Sequence, residues 1–190
     1  MSIDTHNISI VILAGGRGTR LGGVDKGLML WQGKPMIEHL LPTLPAASPL
    51  MINANRNIEQ YQRYGVPVIR DQLENYQGPL AGILCALQHC HTDYLLCMPC
   101  DSPQPPTQLS ERLLQCLLSN HATAAICHDG ERLQPLFALL SRDLQAPLQA
   151  WLAGGQRKAE FFFREINAAV CDFTDQAERF KNFNTRQDMT

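Results

Sequence analysis

The sequence predicts an α/β fold with a mostly parallel central sheet and helices on both faces. Three observations lead there. Short apolar, β-branched runs alternate with helical patterns through roughly the first two-thirds of the chain, joined by short connections. The first run, Ile8 to Leu13, is continuously aliphatic apart from Ser9 and stops at Gly15-Gly16, as a strand buried on both faces does. A glycine-rich, basic loop follows it directly.

The elements follow in order. After the loop over 14–27, Leu28 to Trp31 has extended character and Gly33 turns the chain. Pro35 suits the first turn of a helix reaching about Leu41. Leu50 to Asn53 is a second strand, and Ile58 to Tyr64 a helix ended by Gly65. Val66 to Ile69 forms a third strand, and Leu80 to Gln88 an Ala-rich helix begun by Pro79. Tyr94 to Met98 is a fourth strand stopped by Pro99, and Leu109 to Leu118 has helical spacing. Ala122 to Cys127 and Leu136 to Leu140 are strands five and six. The last third is less regular: 142–153 helical, 154–158 a basic loop, and Ala168 to Phe173 a strand. One domain over 1–190 is expected, with a nucleotide-binding part to about residue 105 and an acceptor-binding part over about 106–190.

Composition narrows the function. Apolar residues at 45% and charged residues at 18% are ordinary for a folded globular chain. The formal net charge of -2 lacks the basic excess of a nucleic-acid binder, so no nucleic-acid partner is expected. The polar N-terminus has no signal-like pattern, and the longest apolar stretch, Ile8 to Ala14, is too short to span a bilayer. The expectation is a cytoplasmic protein without a membrane partner. Seven cysteines, an odd number in such a chain, argue against a disulfide framework.

The segment LAGGRGTRLGGVDKG, Leu13 to Gly27, holds six glycines together with Arg17, Arg20 and Lys26. Glycine lets backbone amides curl around an anion, and ligands of open parallel sheets bind at the strands' carboxyl ends. Two familiar phosphate motifs are excluded. Lys26 is followed by Gly27 rather than Ser or Thr, so there is no Walker A loop, and Leu21 stands where a dinucleotide fingerprint from Gly16 needs glycine. Asp101 and Asp71 each follow a strand, so a parallel sheet would put both carboxylates on the loop's rim. There a carboxylate can hold Mg²⁺ bridging nucleotide phosphates, or simply shape a turn. Asn53 can read a base edge or cap the next helix.

LAGGRGTRLGGVDKGL, INANRN, GPLAGI, PCDSP and FKNFNT together resemble the molybdenum cofactor guanylyltransferase family, from about Ile10 to Thr185. The LAGG loop with a downstream lysine is common to many nucleotidyltransferases. GGVDKGL, NANR and PCD in this order are far more specific. The resemblance implies a Rossmann-like nucleotidyltransferase fold and a reaction of GTP with molybdopterin, or Mo-molybdopterin, to give the guanine dinucleotide cofactor and pyrophosphate. It places Leu13, Ala14, Gly15 and Gly16 on the triphosphate and Lys26 on phosphate, with Arg20 as a second cation. Asn53 and Asp71 fall on the nucleotide, and Asp101 on both nucleotide and Mg²⁺. Asn182 and Asn184 match the acceptor side, and Arg157 in the basic loop is a further candidate for it. Molybdopterin-delivering and molybdoenzyme-specific chaperone proteins are the implied partners. Family members usually continue into a helix after the NT dipeptide, and here that helix is expected to be minimal.

Other classes compete. A cytidylyl- or sugar-1-phosphate nucleotidyltransferase shares the loop and the aspartate. A non-catalytic nucleotide- or cofactor-binding carrier would keep the loop but have no use for Asp101. A thiol or zinc protein would rest on Cys97-x-x-Cys100 with Cys85, His89, Cys90 and His91. The plainer expectation for these cysteines is burial in apolar runs. Trp31 and Phe161 to Phe163 are expected mainly in the core, and His128-Asp129-Gly130 in a turn between strands.

Overall fold

The structure is a computed structural model that describes residues 7–16, 24–71 and 78–181. Its centre is a seven-stranded sheet. In chain order the strands of this sheet are β1 (Ile8–Leu13), β4 (Leu50–Asn53), β5 (Val68–Ile69), β6 (Tyr94–Pro99), β7 (Ala124–His128), β8 (Leu133–Ser141) and β9 (Ala169–Asp172). A separate two-stranded ribbon pairs β2 (Leu30–Trp31) with β3 (Lys34–Pro35). The helices are α1 (Met36–Leu40), α2 (Ile58–Gln62), α3 (Pro79–His89), α4 (Leu109–Ser119), α5 (Gln145–Ala153) and α6 (Ala159–Glu165).

The strand order is β5-β4-β1-β6-β8-β7-β9. β5, β4, β1 and β6 pair in parallel, as do β7 and β9, while β8 runs antiparallel to both β6 and β7. The expected mostly parallel sheet is present, with this one reversal. Its cause is local. Only residues 129–132 separate β7 from β8, enough for a hairpin but not for a crossover.

β1 shows why the sheet is buried on both sides. Ile8, Ile10 and Ile12 face one core with Leu113 and Leu117 of α4, Ile37 of α1, Tyr61 of α2 and Phe137. Val11 and Leu13 face the other, with Leu80, Ile83 and Leu84 of α3, Leu148 of α5 and Phe162 of α6. The polar exception, Ser9, is satisfied: its N–H donates to Thr92 Oγ1 at 2.9 Å, and the two hydroxyls lie 2.8 Å apart.

Two expectations need correction. Leu28 belongs to a 3₁₀ turn over Lys26–Leu28, and the extended piece is only Leu30–Trp31. Trp31 and Phe161 to Phe163, expected mainly in the core, are so only in part: Trp31 is half-buried, and α6 buries Phe162 and Phe163 but exposes Phe161 beside Lys158.

Chain direction positions the site. From β1 the chain moves outward to β4 and β5. It then returns through α3, on the other face, to β6 at the opposite side of β1. The carboxyl ends of β1, β4 and β6 thus border a switch point, where α/β sheets open a crevice.

Candidate active site

A cavity of about 330 Å³ lies at that switch point, within the range of small-molecule pockets. Its wall includes Leu13 at the end of β1 with Ala14, Gly15 and Gly16 after it, Asn53 at the end of β4 with Arg56 beyond, and Asp71 after β5. Cys100 and Asp101 after β6 complete the rim, with Gly78 and Pro79 at the start of α3 and Leu136 from β8. The strand ends are stitched together by backbone bonds. Ala14 N–H donates to the Asn53 carbonyl, Ala54 N–H to Ile69, and Cys100 N–H to Leu13. The floor is therefore a continuation of the sheet, and side chains at residues 53, 71 and 101 converge because their strands are parallel and in register.

Lys26 Nζ donates to Asp101 Oδ2 at 2.8 Å, with the lysine side chain 31% exposed and the aspartate 12%. A lysine and a carboxylate widely separated in sequence thus meet at the lip of the glycine segment. Opposite them, Asp71 is held by two amides. Asn53 Nδ2 donates to Oδ1 at 2.8 Å and Asn55 Nδ2 to Oδ2 at 2.7 Å, while Asn55 Oδ1 accepts from the Asp71 N–H at 2.9 Å. Asn53 is 2% exposed, so its amide is committed to orienting Asp71 and does not cap α2, whose preceding residue is Asn57.

Of the residues predicted for the nucleotide, the structure brings together Leu13, Ala14, Gly15, Gly16, Lys26, Asn53, Asp71 and Asp101 around one cavity. Arg157 is near by backbone: a Cβ on Gly78 would lie 3.6 Å from its carbonyl. Its Nη1 donates to the carbonyls of Leu152 and Gln156, at the end of α5. Arg20, Asn182 and Asn184 lie outside the described residues. Sequence reasoning did not single out Asn55, Arg56, Asp25 or Tyr61. Asn55 and Arg56 stood inside INANRN, and Asp25 was an acid among the cations of the glycine segment, which was a signal.

The cysteine cluster resolves as buried free thiols. Cys85, Cys90, Cys97 and Cys100 are all buried, and among the described residues no group of three or more His, Cys, Asp or Glu side chains is placed to hold a metal. Burial pushes the Cys85 thiol up to about 11 and raises the Cys97 and Cys100 thiols well above their ordinary value, away from thiolate chemistry. His128 and Asp129 form the expected turn: Asp129 Oδ1 accepts the N–H groups of Glu131 and Arg132.

Gly15 and Gly16 at the switch point of a Rossmann-like sheet, beside a lysine–aspartate pair, are the arrangement a nucleotidyltransferase needs. Comparison with known proteins sharpens this. The family model of the MobA-like NTP transferase domain matches residues 10–170, and the chain belongs to that family. It is 46% identical over 186 residues to a molybdenum cofactor guanylyltransferase of Mannheimia succiniciproducens, covering 97% of this chain and 98% of that one. A protein of the same name from Pasteurella multocida is 43% identical over the same shares of the two chains. Among solved structures, molybdopterin-guanine dinucleotide biosynthesis protein A from Archaeoglobus fulgidus superposes with a TM-score of 0.78 at 23% identity, covering 95% of this chain and 94% of that one. A 4-diphosphocytidyl-2C-methyl-D-erythritol synthase from Anaerococcus prevotii gives 0.69 at 12% identity, covering 96% and 92%, a likeness of fold alone.

Proposed function

We propose that the protein transfers GMP from GTP to the terminal phosphate of molybdopterin or Mo-molybdopterin, releasing pyrophosphate. The observation that carries this reading is the Lys26–Asp101 pair at 2.8 Å on the lip of the glycine segment. It sits in a chain 46% identical over 186 residues to a molybdenum cofactor guanylyltransferase. A nucleotide phosphate arriving there offers Lys26 a stronger anionic partner and releases Asp101.

Asp101 suits Mg²⁺, which usually takes one or two protein carboxylates and completes its shell with phosphate oxygens and water. Bound there, Mg²⁺ would neutralise charge on the phosphates. The chain's own residues do the rest. The amides after β1 and the Lys26 ammonium hold the triphosphate in line, and Asp71, fixed by Asn53 and Asn55, sits on the nucleotide side. The acceptor phosphate is already anionic, so no strong base is needed. One of its oxygens bonds to the α-phosphorus as the bond to the α,β-bridging oxygen breaks. Positioning and electrostatics are the sources of rate in such transfers.

On this reading residues up to about 105 serve the nucleotide and those after it the acceptor, with Arg157, Asn182 and Asn184 on the acceptor side and Arg20 on phosphate. A cytoplasmic site of action and hand-over to molybdopterin-delivering and molybdoenzyme-specific chaperone proteins complete the proposal. No helix among the described residues is long and apolar enough to cross a membrane.

Calorimetric titration with GTP and with CTP, each with Mg²⁺, tests it alongside turnover of Asp101→Ala. Tight GTP binding, weak CTP binding and loss of turnover in the variant are expected. Preference for CTP would move the activity to cytidylyl transfer, and near-normal turnover of Asp101→Ala would remove that residue from the mechanism.

A further inference from the structure

Lys26 is bracketed by contacts that the reaction above does not use. Asp25, 6% exposed, accepts from Tyr61 Oη at 2.6 Å through Oδ1 and from Asn57 Nδ2 at 3.0 Å through Oδ2. Arg56 Nε lies 3.8 Å from the same Oδ2. Arg56 Nη2 also donates to the Val24 carbonyl at 2.8 Å. The side chains around Asp25 come from one short stretch, residues 56–61, that runs from just before α2 into it. A buried carboxylate needs such partners, since it is costly without them. Asn57 adopts a left-handed backbone, φ 51°, while its amide reaches Asp25.

On the other side of Lys26, Gly27 is packed so closely that a Cβ there would lie 2.6 Å from the Tyr61 hydroxyl and 3.2 Å from Cys100 Cβ. The residue before Lys26 is thus hydrogen-bonded to the Tyr61 hydroxyl, and the residue after it is packed on the same group. Asp25 also starts the 3₁₀ turn, its carbonyl accepting the Leu28 N–H. The lysine backbone is fixed at both ends, with Nζ delivered to Asp101.

We propose that Asp25, held by Tyr61 and Asn57, is a positioning residue for Lys26. It fixes the end of the glycine segment so that the ammonium meets Asp101 in the free protein and phosphate in the complex. NANRN then serves both sides of the cleft: Asn53 and Asn55 set Asp71, while Arg56 and Asn57 set Asp25 and through it Lys26. The proposal rests on the reading of the cavity as a GTP site. A displacement of about 1 Å in a positioned group is enough to cost much of its effect.

The test is a double-mutant cycle on GTP–Mg²⁺ affinity, measured by calorimetry on the full chain, which needs no turnover. Tyr61→Phe keeps the ring and removes only the hydroxyl. Asn57→Gly keeps the left-handed backbone at low cost and removes only the amide. Each is expected to weaken GTP on the order of tenfold, the scale of one hydrogen bond to a charged group. In a Lys26→Met background each should weaken it by less than about twofold, because coupled residues are non-additive. Equal losses in both backgrounds, or unchanged affinity with a lowered Tm, would overturn the proposal and leave the cluster a stabiliser of the fold. A wild-type chain that binds no GTP would instead overturn the GTP reading, and this proposal with it.

Discussion

Asn53 is gripped from three sides, which makes its neighbour Gly82 a sensitive probe of the site. A Cβ on Gly82 would lie 2.3 Å from Asn53 Oδ1 and 2.9 Å from Cγ, and a Cβ on Gly15 would lie 3.1 Å from the same oxygen. In an ordinary helix interior Gly→Ala gains up to about 1 kcal/mol. Here overpacking, at about 1–3 kcal/mol, outweighs that gain. Gly82→Ala should lower Tm by several degrees and weaken GTP binding, because Asn53 must release Asp71. In an Asn53→Ala background the same substitution should become neutral or stabilising, which thermal melts of the four variants would check. The loss belongs to the pair rather than to the helix. At this scale Asp71 and Asp101 were legible as cavity-lining residues because each follows a strand of a parallel sheet, and Lys26 because it is a cation in the glycine segment. Asn55, Asp25 and Tyr61 were not. Each earns its place through a partner 16 to 36 positions away, and no local pattern encodes such a pairing.

Among the elements, the most regular ones were legible from sequence. β1, β4, α3 and β6 appeared within a residue or two of their expected bounds, since aliphatic runs bounded by Gly, Pro or polar turns have few alternatives. α6 escaped because its aromatic run carries no helical period, and β8 began three residues early because Leu133 and Gln134 continue the hairpin ladder. The turn over Thr174–Phe180 was also missed; Gln176 bonds Thr107, Phe180 packs on Phe137, and Arg112 of α4 is a further anchor. Its guanidinium bonds both oxygens of Asp175 at 2.9 Å, donates to the Asp172 carbonyl and lies 3.8 Å above the Phe173 ring. A lysine cannot reproduce that fork and stack together. Arg112→Lys is therefore expected to lower Tm nearly as far as Arg112→Ala. Both should raise the KM for the pterin substrate while leaving GTP affinity unchanged, since this turn leads in sequence into the residues proposed for the acceptor and contributes none of the lining of the cavity proposed for the nucleotide. A change in GTP affinity equal to that in KM would count against the division of labour between the two parts of the chain.

For the molecule as a whole, the sheet that builds the site also buries many thiols, and this sets its behaviour in alkali. The thiols of Cys97, Cys100 and Cys127 are driven above their ordinary value of 9.0 by burial. Cys85 is pushed up to about 11 and Cys171 up to about 12, again by burial first. Unfolding frees these groups to ionise near 9. Below that value both states keep the proton and the thiols add no pH dependence. Above it the unfolded chain binds fewer protons than the folded one, so stability falls as pH rises, for Cys85 between 9 and about 11 and for Cys171 between 9 and about 12. Each fully protected thiol contributes a slope of about 1.4 kcal/mol per pH unit. Several such slopes acting together exceed what a domain of ordinary stability, about 5–15 kcal/mol, tolerates for more than a few units. Buried Tyr61, raised above 10.0 mainly by the same loss of solvation, joins them at higher pH. Tm should therefore be nearly flat between pH 7 and 8.5 and drop steeply above 9. Cys97→Ala should start from a lower Tm, because it opens a cavity in the strand beside β1, yet lose stability less steeply between pH 9 and 10. Parallel curves for the variant and the parent would show that this thiol stays protonated in the unfolded chain or is already ionised in the folded one.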